Sequence, residues 1–228
     1  MSLLGPEDLQ AVLLSLKVAT TATVVGLPIA LAVALALARG RFLGRGLLDA
    51  FTHLPLVLPP VATGYVLLIL FGPRGPLGRM LEPVGLVFAF RWTGAALAAG
   101  VMAFPLMVRP IRLAIENIDR EVDEVARTLG AGPVARLTRV TIPLAAPGLV
   151  AGAVLGFARA LGEFGATITF VAAIPGETLT LPTAIYQATQ TPGGEARAIA
   201  LCAVAAAIAI TAVLASDALS RRAVSRRG

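Results

Sequence analysis

Five long apolar segments alternate with shorter polar connections along the chain. They cover approximately residues 9–38, 54–72, 93–108, 147–172 and 196–215. A helix crosses the hydrocarbon core of a bilayer with about 20 mainly apolar residues, so segments of this kind are candidate membrane-spanning helices. The pattern therefore predicts an all-α polytopic membrane protein with about five transmembrane helices.

Prolines interrupt two of these segments. The second segment contains Pro55, Pro59 and Pro60, and the third contains Pro105. Each proline lacks the backbone N–H that a helix uses, and it bends the helix. A membrane protein tolerates this where neighbouring helices or a cavity satisfy the freed carbonyl groups. We expect these two spans to be bent.

The long connection before the fourth segment has a different pattern. Its apolar residues recur at spacings of three and four, which is typical of an amphipathic helix. These residues are Ile115, Ile118, Val122, Val125 and Leu129. Gly130 follows as a helix stop. Residues 116–127 hold five acidic side chains and two arginines, whereas a helix on an anionic membrane surface normally has a basic polar face. The pattern favours a helix that docks onto another protein.

The arginines are distributed unevenly between alternate connections. Thirteen lie in the connections after the first and third segments and in the C-terminal tail, and four lie on the opposite side. Because basic residues accumulate in cytoplasmic loops, this bias predicts an N-terminus outside the cell and a cytoplasmic C-terminus. The first ten residues lack the basic region of a secretory signal, so we expect them to be retained outside.

Composition supports the membrane assignment. Hydrophobic residues make up 57% of the chain and charged residues 14%, with a mean hydropathy of +0.85. A typical soluble domain has about 25% charged residues. The net charge of +6 comes from the arginines of the connections and the tail, so it does not indicate nucleic-acid binding.

Several kinds of chemistry are excluded by single residues. Lys17 is the only lysine and has no glycine-rich loop before it, so the chain has no P-loop and does not hydrolyse ATP itself. With one cysteine, Cys202, and one histidine, His53, we expect no metal site. His53 is better interpreted as an interface or capping residue. No serine, histidine and acid constellation suggests an enzyme.

The connection before the fourth segment resembles a known motif. The stretch "EVARTLGAGPVARLTRVTIP" is similar to the EAA loop of ABC-importer membrane subunits. The matching positions are Glu124, Ala126, Gly130, Val140, Ile142 and Pro143. Val125 replaces the first alanine of the motif, and Val140 and Ile142 are apolar departures. The resemblance implies a type I ABC importer transmembrane domain over residues 1–228, with a cytoplasmic coupling loop at about residues 111–146 that docks onto an ATPase.

Further stretches look like the molybdate and tungstate permeases of this family. They include "AVLLSLKVA", "HLPLVLPPVATGY", "FPLMVRPIRLAIE", "FARALGEFGATITFV" and "IPGETLTLPTAIY". Sulfate and thiosulfate permeases look similar around "GEFGA". The compact length and the stretches "HLPLVLPP" and "TPGGEA" favour molybdate.

The resemblance also implies an assembly in a bacterial inner membrane. Two copies of the chain would line a path, with two cytoplasmic ATPase subunits below and an extracytoplasmic molybdate-binding protein above. ATP and magnesium would bind to the ATPase, and this chain would need no cofactor. Surrounding lipid is the only other expected partner. A sulfate, thiosulfate or tungstate permease, a proton-coupled transporter that uses Glu163, and a non-transporting scaffold remain as alternatives.

The fourth segment carries charges in apolar surroundings. Small residues recur every fourth position at Gly148, Gly152, Gly156 and Ala160, a ridge that lets helices pack closely. On a continuous helix, Glu163 borders this ridge and Arg159 lies one turn before it.

Three roles are open for this pair. Arg159 could contact an anionic substrate, Glu163 could carry a proton, or the two could form a structural or gate-associated ion pair. Thr167 and Thr169 are either polar residues of the path or bond back to their own helix. We assign Arg159, Glu163 and Thr167 to the translocation path or gate.

Overall fold

Helices account for all regular structure between residues 4 and 225. The computed structural model describes these residues, apart from the side chains of residues 120, 213 and 215–225. The helices are α1 Pro6–Arg39, α2 Arg45–Val57, α3 Pro60–Phe71, α4 Pro76–Leu81, α5 Trp92–Glu116, α6 Arg120–Thr128, α7 Pro133–Arg136, α8 Ile142–Leu161, α9 Gly165–Val171, α10 Leu181–Gln190 and α11 Glu195–Ser225. Arg226 and Arg227 of the basic tail lie outside the described residues.

The structure contains four to five candidate spans, in agreement with the prediction of about five. Within the described part of the chain, four stretches are long and apolar enough to cross a membrane: α1, α5, the stretch Pro133–Leu161 that contains α7 and α8, and the first 18 residues of α11. The pair α2 and α3 makes a fifth if it is counted as one broken span. Which side of the membrane holds each terminus stays a prediction.

The second span is broken at its prolines, so the segment predicted over residues 54–72 as one bent helix is in fact two helices, α2 and α3. α2 and α3 meet at an angle of 116°, and Leu58 and Pro59 between them have extended backbones, with ψ of 141° and 135°. Two adjacent prolines explain the break, because a proline disfavours helical geometry in the residue before it. Pro60 then occupies the first turn of α3, where no N–H is needed.

The fourth span is also broken, which corrects the prediction of one helix over residues 147–172. α8 ends at Leu161, and α9 starts at Gly165. Glu163 therefore lies in the break and not on a continuous helix beside the glycine ridge. The sequence "LGEFGA" has glycines on both sides of Glu163, and glycine weakens a helix by up to about 1 kcal/mol relative to alanine.

The amphipathic helix is shorter than predicted. Ile115 belongs to α5, where it is buried in the core, and Ile118 lies in a turn. α6 starts after Asp119, whose carboxylate accepts a hydrogen bond from the N–H of Glu121 at 3.0 Å. Such a cap stabilises a helix start. The apolar periodicity from Ile115 to Leu129 therefore runs across a turn between two helices, α5 and α6. Gly130 has a φ of +82°, which confirms the predicted helix stop.

The ridge of small residues on α8 packs directly against α5. A Cβ atom added at Gly148 would lie 2.6 Å from the carbonyl oxygen of Pro110, and one added at Gly152 would lie 2.8 Å from that of Met107. These distances are too short for real contacts, so the two backbones approach more closely than larger side chains allow. The predicted packing ridge is confirmed.

A second packed region joins the N-terminal half of α1 to α10 and α11. The buried carboxylate of Asp8 accepts hydrogen bonds from the Arg197 guanidinium at 2.6 to 3.2 Å. Ser15 accepts a hydrogen bond from the N–H of Leu181 at 2.6 Å. Because Asp8 and Arg197 are 189 residues apart, these contacts bring the two ends of the apolar sequence together.

Replacement of Gly148 with alanine tests the packing of α8 on α5. We expect Gly148→Ala to lower the stability by roughly 1–3 kcal/mol, as overpacking does in tight cores. Gly46→Ala is the matched control, since nothing lies within 4 Å of the added atom in α2. Thermal unfolding in detergent measures both variants. Equal stability of Gly148→Ala and the wild type would contradict the close approach.

Candidate functional site

The apolar face of α6 is exposed. Val122 and Val125 lie on this short helix, and Leu129, which follows its last residue, is 81% exposed. Glu124 and Gly130 are exposed, and Ala126 is partly exposed. An apolar stripe beside acidic residues on a short helix is unusual for a surface that contacts only water. The face is therefore available to a partner.

The second half of the motif lies apart from α6. Val140 lies in a wide helical turn of residues 137–141 that has π-helix geometry, and Ile142 and Pro143 form the start of α8. All three are half-buried. Such wide turns are rare in proteins, and those that occur are often at functional sites. The six motif residues thus form two groups, one on and after α6 and one where the loop enters the membrane span.

Ion pairs connect α6 to neighbouring elements. Asp123 pairs with Arg39 at 3.4 Å and with Arg136 at 2.8 Å. These residues border a cavity of about 820 Å³. The sequence showed Asp123 only as one of the five acidic residues of 116–127, because a long-range ion pair between loop residues has no periodic signal.

A second network lies beside it, where α2 meets the end of α5. Arg112 bridges Asp49 at 3.0 Å and Glu116 at 2.8 Å. The His53 ring nitrogen Nδ1 lies 2.9 Å from the Asp49 carbonyl oxygen and 3.3 Å from its carboxylate. His53 thus contacts the preceding turn of its own helix, and its interpretation as a capping or interface residue stays a prediction.

The ion pair between Arg159 and Glu163 is present. The Glu163 side chain is 1% exposed, and its Oε2 lies 2.5 Å from Nη1 of Arg159. Its Oε1 accepts a hydrogen bond from the N–H of Ala166 at 2.8 Å. Glu163 therefore holds the end of α8 and the start of α9 together through its two oxygens. The Arg159 side chain is 27% exposed, so part of this side chain remains accessible.

The two broken spans meet at this place. A Cβ atom added at Gly165 would lie 2.8 Å from Cβ of Pro60, and one added at Gly64 would lie 2.8 Å from Cα of Ala166. The starts of α3 and α9 are therefore in direct backbone contact. The sequence contained a separate signal for each helix break, the paired prolines in one segment and the flanking glycines in the other. Nothing in the sequence showed that the two breaks lie together.

The two threonines of α9 differ. Thr169 donates a hydrogen bond to the carbonyl oxygen of Gly165 at 2.8 Å, which confirms the back-bonding alternative for this residue. Thr167 is buried, so it does not line an open surface in this conformation. A place for Thr167 in the path stays a prediction.

Comparison with known proteins identifies the class. Residues 26–227 match the family described as "Binding-protein-dependent transport system inner membrane component", and the chain belongs to this family, within its group of molybdenum transport permeases. The chain is 53% identical over the whole length of both chains to the molybdenum transport system permease protein ModB of Escherichia coli. It is 48% identical to that of Haemophilus influenzae over 97% of each chain.

Solved structures support the fold. A bacterial ABC transporter for import of the acidic polysaccharide alginate matches with a TM-score of 0.77 at 20% identity, covering 96% of this chain and 80% of that one. An amino acid ABC transporter matches with a TM-score of 0.67 at 19% identity, covering 95% and 94%. The protein is a multi-pass permease subunit with the type I ABC importer fold, and ATP hydrolysis belongs to a separate subunit.

Variants of Glu163 test its two contacts. Glu163→Gln keeps an oxygen for the N–H of Ala166 but removes the charge that faces Arg159, so we expect a loss of about 1–3 kcal/mol. Glu163→Ala removes both contacts and should cost more. Glu177→Gln is the control, because Glu177 is exposed and has no ion pair within the described residues. Unfolding in detergent measures the order, and equal stability of all four proteins would contradict the assigned role.

Proposed function

We propose that the chain forms the membrane path of an ATP-driven molybdate importer. The carrying observation is the 53% identity over the full length of a molybdenum transport permease. The similarity extends over the membrane spans and the loops of the whole chain and is not confined to one motif. Tungstate has the same charge and shape as molybdate and is expected to use the same path.

The exposed face of α6 is the proposed contact with the ATPase. Burial of Val125 and Leu129 against a partner removes apolar surface from water, worth about 25 cal/mol per Å². Glu124, Ala126 and Gly130 would lie in this contact, while Val140, Ile142 and Pro143 would carry its movement into α8. ATP and magnesium would bind to the ATPase.

The translocation path is proposed to pass the meeting point of α3 and α9. A molybdate dianion is attracted by the accessible part of Arg159 and repelled by a carboxylate, so Arg159 is the transient contact and Glu163 fixes its position. A proton carrier needs a carboxylate that is free to exchange protons. Both oxygens of Glu163 are occupied, which disfavours the proton-coupled alternative. Thr167 is proposed to enter the path when α9 moves.

The proposed assembly contains two copies of this chain, two ATPase subunits and an extracytoplasmic molybdate-binding protein. A solved structure shows the alginate transporter with a periplasmic protein that holds its substrate, which supports an arrangement of this kind. The exposed apolar residues of α1, α3 and α11 would face lipid or the second copy. The arginine bias supports an outer N-terminus and a cytoplasmic C-terminus.

Competition for uptake tests the cargo. The permease, its ATPase and its binding protein are reconstituted into vesicles, and ATP-dependent uptake of labelled molybdate is measured with excess unlabelled oxyanions. We expect tungstate to compete strongly and sulfate weakly. Molybdate and tungstate are both larger tetrahedral anions than sulfate, so they should fit the same site. Stronger competition by sulfate or thiosulfate than by tungstate would overturn molybdate as the cargo and favour a sulfate permease.

A further inference from the structure

The helix α6 is attached to the rest of the permease at few points. Turns flank it on both sides, at residues 117–119 and 129–132, and the second contains Gly130 and Gly132, around which added Cβ atoms meet nothing within 4 Å. Its apolar residues face outward. Among the side chains of α6 that the structure describes, Asp123 alone pairs with charges outside the helix.

The two partners of Asp123 lie on different elements. Its Oδ1 faces Arg39, the last residue of α1, and its Oδ2 faces Arg136, the last residue of α7. Arg136 is followed without interruption by the wide turn of residues 137–141 and by α8. One carboxylate therefore joins α6 to the ends of two long spans, with an oxygen for each.

We propose that Asp123 is the positioning residue through which movement of α6 reaches α1 and α8. This inference rests on the proposed coupling to an ATPase. Asp123 contacts neither nucleotide nor cargo in this role. It fixes the orientation of α6 relative to the spans, so that a push on the exposed face moves the spans and does not merely rotate the short helix between its turns.

The ion pairs of Asp123 are too weak to be needed for folding, which agrees with a role in transmitting movement. The side chains of Arg39, Asp123 and Arg136 are 37%, 28% and 23% exposed, and partly exposed ion pairs contribute little to stability. Loss of one carboxylate charge should leave the helix folded and its apolar face intact. The ATPase then still docks, but part of each movement is lost as α6 rotates relative to the spans.

The test measures transport for each ATP hydrolysed. The complex of permease, ATPase and binding protein is reconstituted into vesicles with Asp123→Asn, and molybdate uptake and ATP hydrolysis are recorded together. We expect the ATPase to copurify normally, hydrolysis to continue, and uptake per ATP to fall several-fold. Asp123→Glu keeps the charge and should restore part of the ratio.

Two controls separate this role from docking. Glu121→Gln removes the same charge from an exposed position of α6 that has no ion pair within the described residues, and should keep the normal ratio. Leu129→Asp places a charge in the docking face and should release the ATPase. Adding Arg136→Gln to Asp123→Asn should cause little further loss, because both changes break the same contact.

Several results would overturn the inference. An unchanged ratio in Asp123→Asn, or an equal fall in Glu121→Gln, would show that the contact carries no movement. Release of the ATPase by Asp123→Asn, as by Leu129→Asp, would make Asp123 part of the docking face. If the wild-type permease itself binds no ATPase, the proposed function fails, and this inference fails with it.

Discussion

Inside a bilayer no water is available to satisfy backbone groups, so any break in a spanning helix must be satisfied by the protein itself. The break between α8 and α9 meets this constraint with one side chain. Glu163 accepts the N–H of Ala166 and pairs with Arg159 across the break. A buried carboxylate is costly alone and tolerable when paired and hydrogen-bonded. The geometry of the membrane region around α9 therefore depends on this residue.

The same break is supported from the opposite side by the second broken span. Gly165 lies against Pro60, and Gly64 lies against Ala166, so the two half-helices pack directly on each other. α8 connects this meeting point to the loop that carries α6, and its small residues lock it to α5. The proposed coupling would use the continuous stretch from Pro133 to Leu161 that joins the loop to this meeting point. Packed helices move as units, which suits transport by alternating access.

Features with a local sequence signal were predicted correctly. The existence of the amphipathic helix, though not its start, the stop at Gly130 and the ridge of Gly148, Gly152 and Gly156 each follow from the spacing of a few neighbouring residues. The breaks before Pro60 and at Glu163 were predicted only as bends or not at all, because whether a weakened helix breaks depends on what packs against it. The coupling motif was found through its resemblance to a family and not through periodicity.

Contacts between distant residues were missed for a related reason. The pairs Asp8 with Arg197 and Asp123 with Arg39 join residues 189 and 84 positions apart. A single sequence contains many arginines and acids and does not show which of them meet. The structure of a single chain does not contain the membrane, the second copy or the other partners. The predicted orientation is therefore based on the arginine bias, and the predicted assembly is based on relatives.

The driving force of transport distinguishes an ATP-driven permease from a proton-coupled one most directly. Vesicles that contain the permease, its ATPase and its binding protein are given either ATP on the cytoplasmic side or an imposed pH gradient, and the accumulation of molybdate is followed. We expect accumulation with ATP alone and none with the gradient alone. Accumulation under the pH gradient without ATP, lost in Glu163→Gln, would contradict an ATP-driven path and support proton coupling.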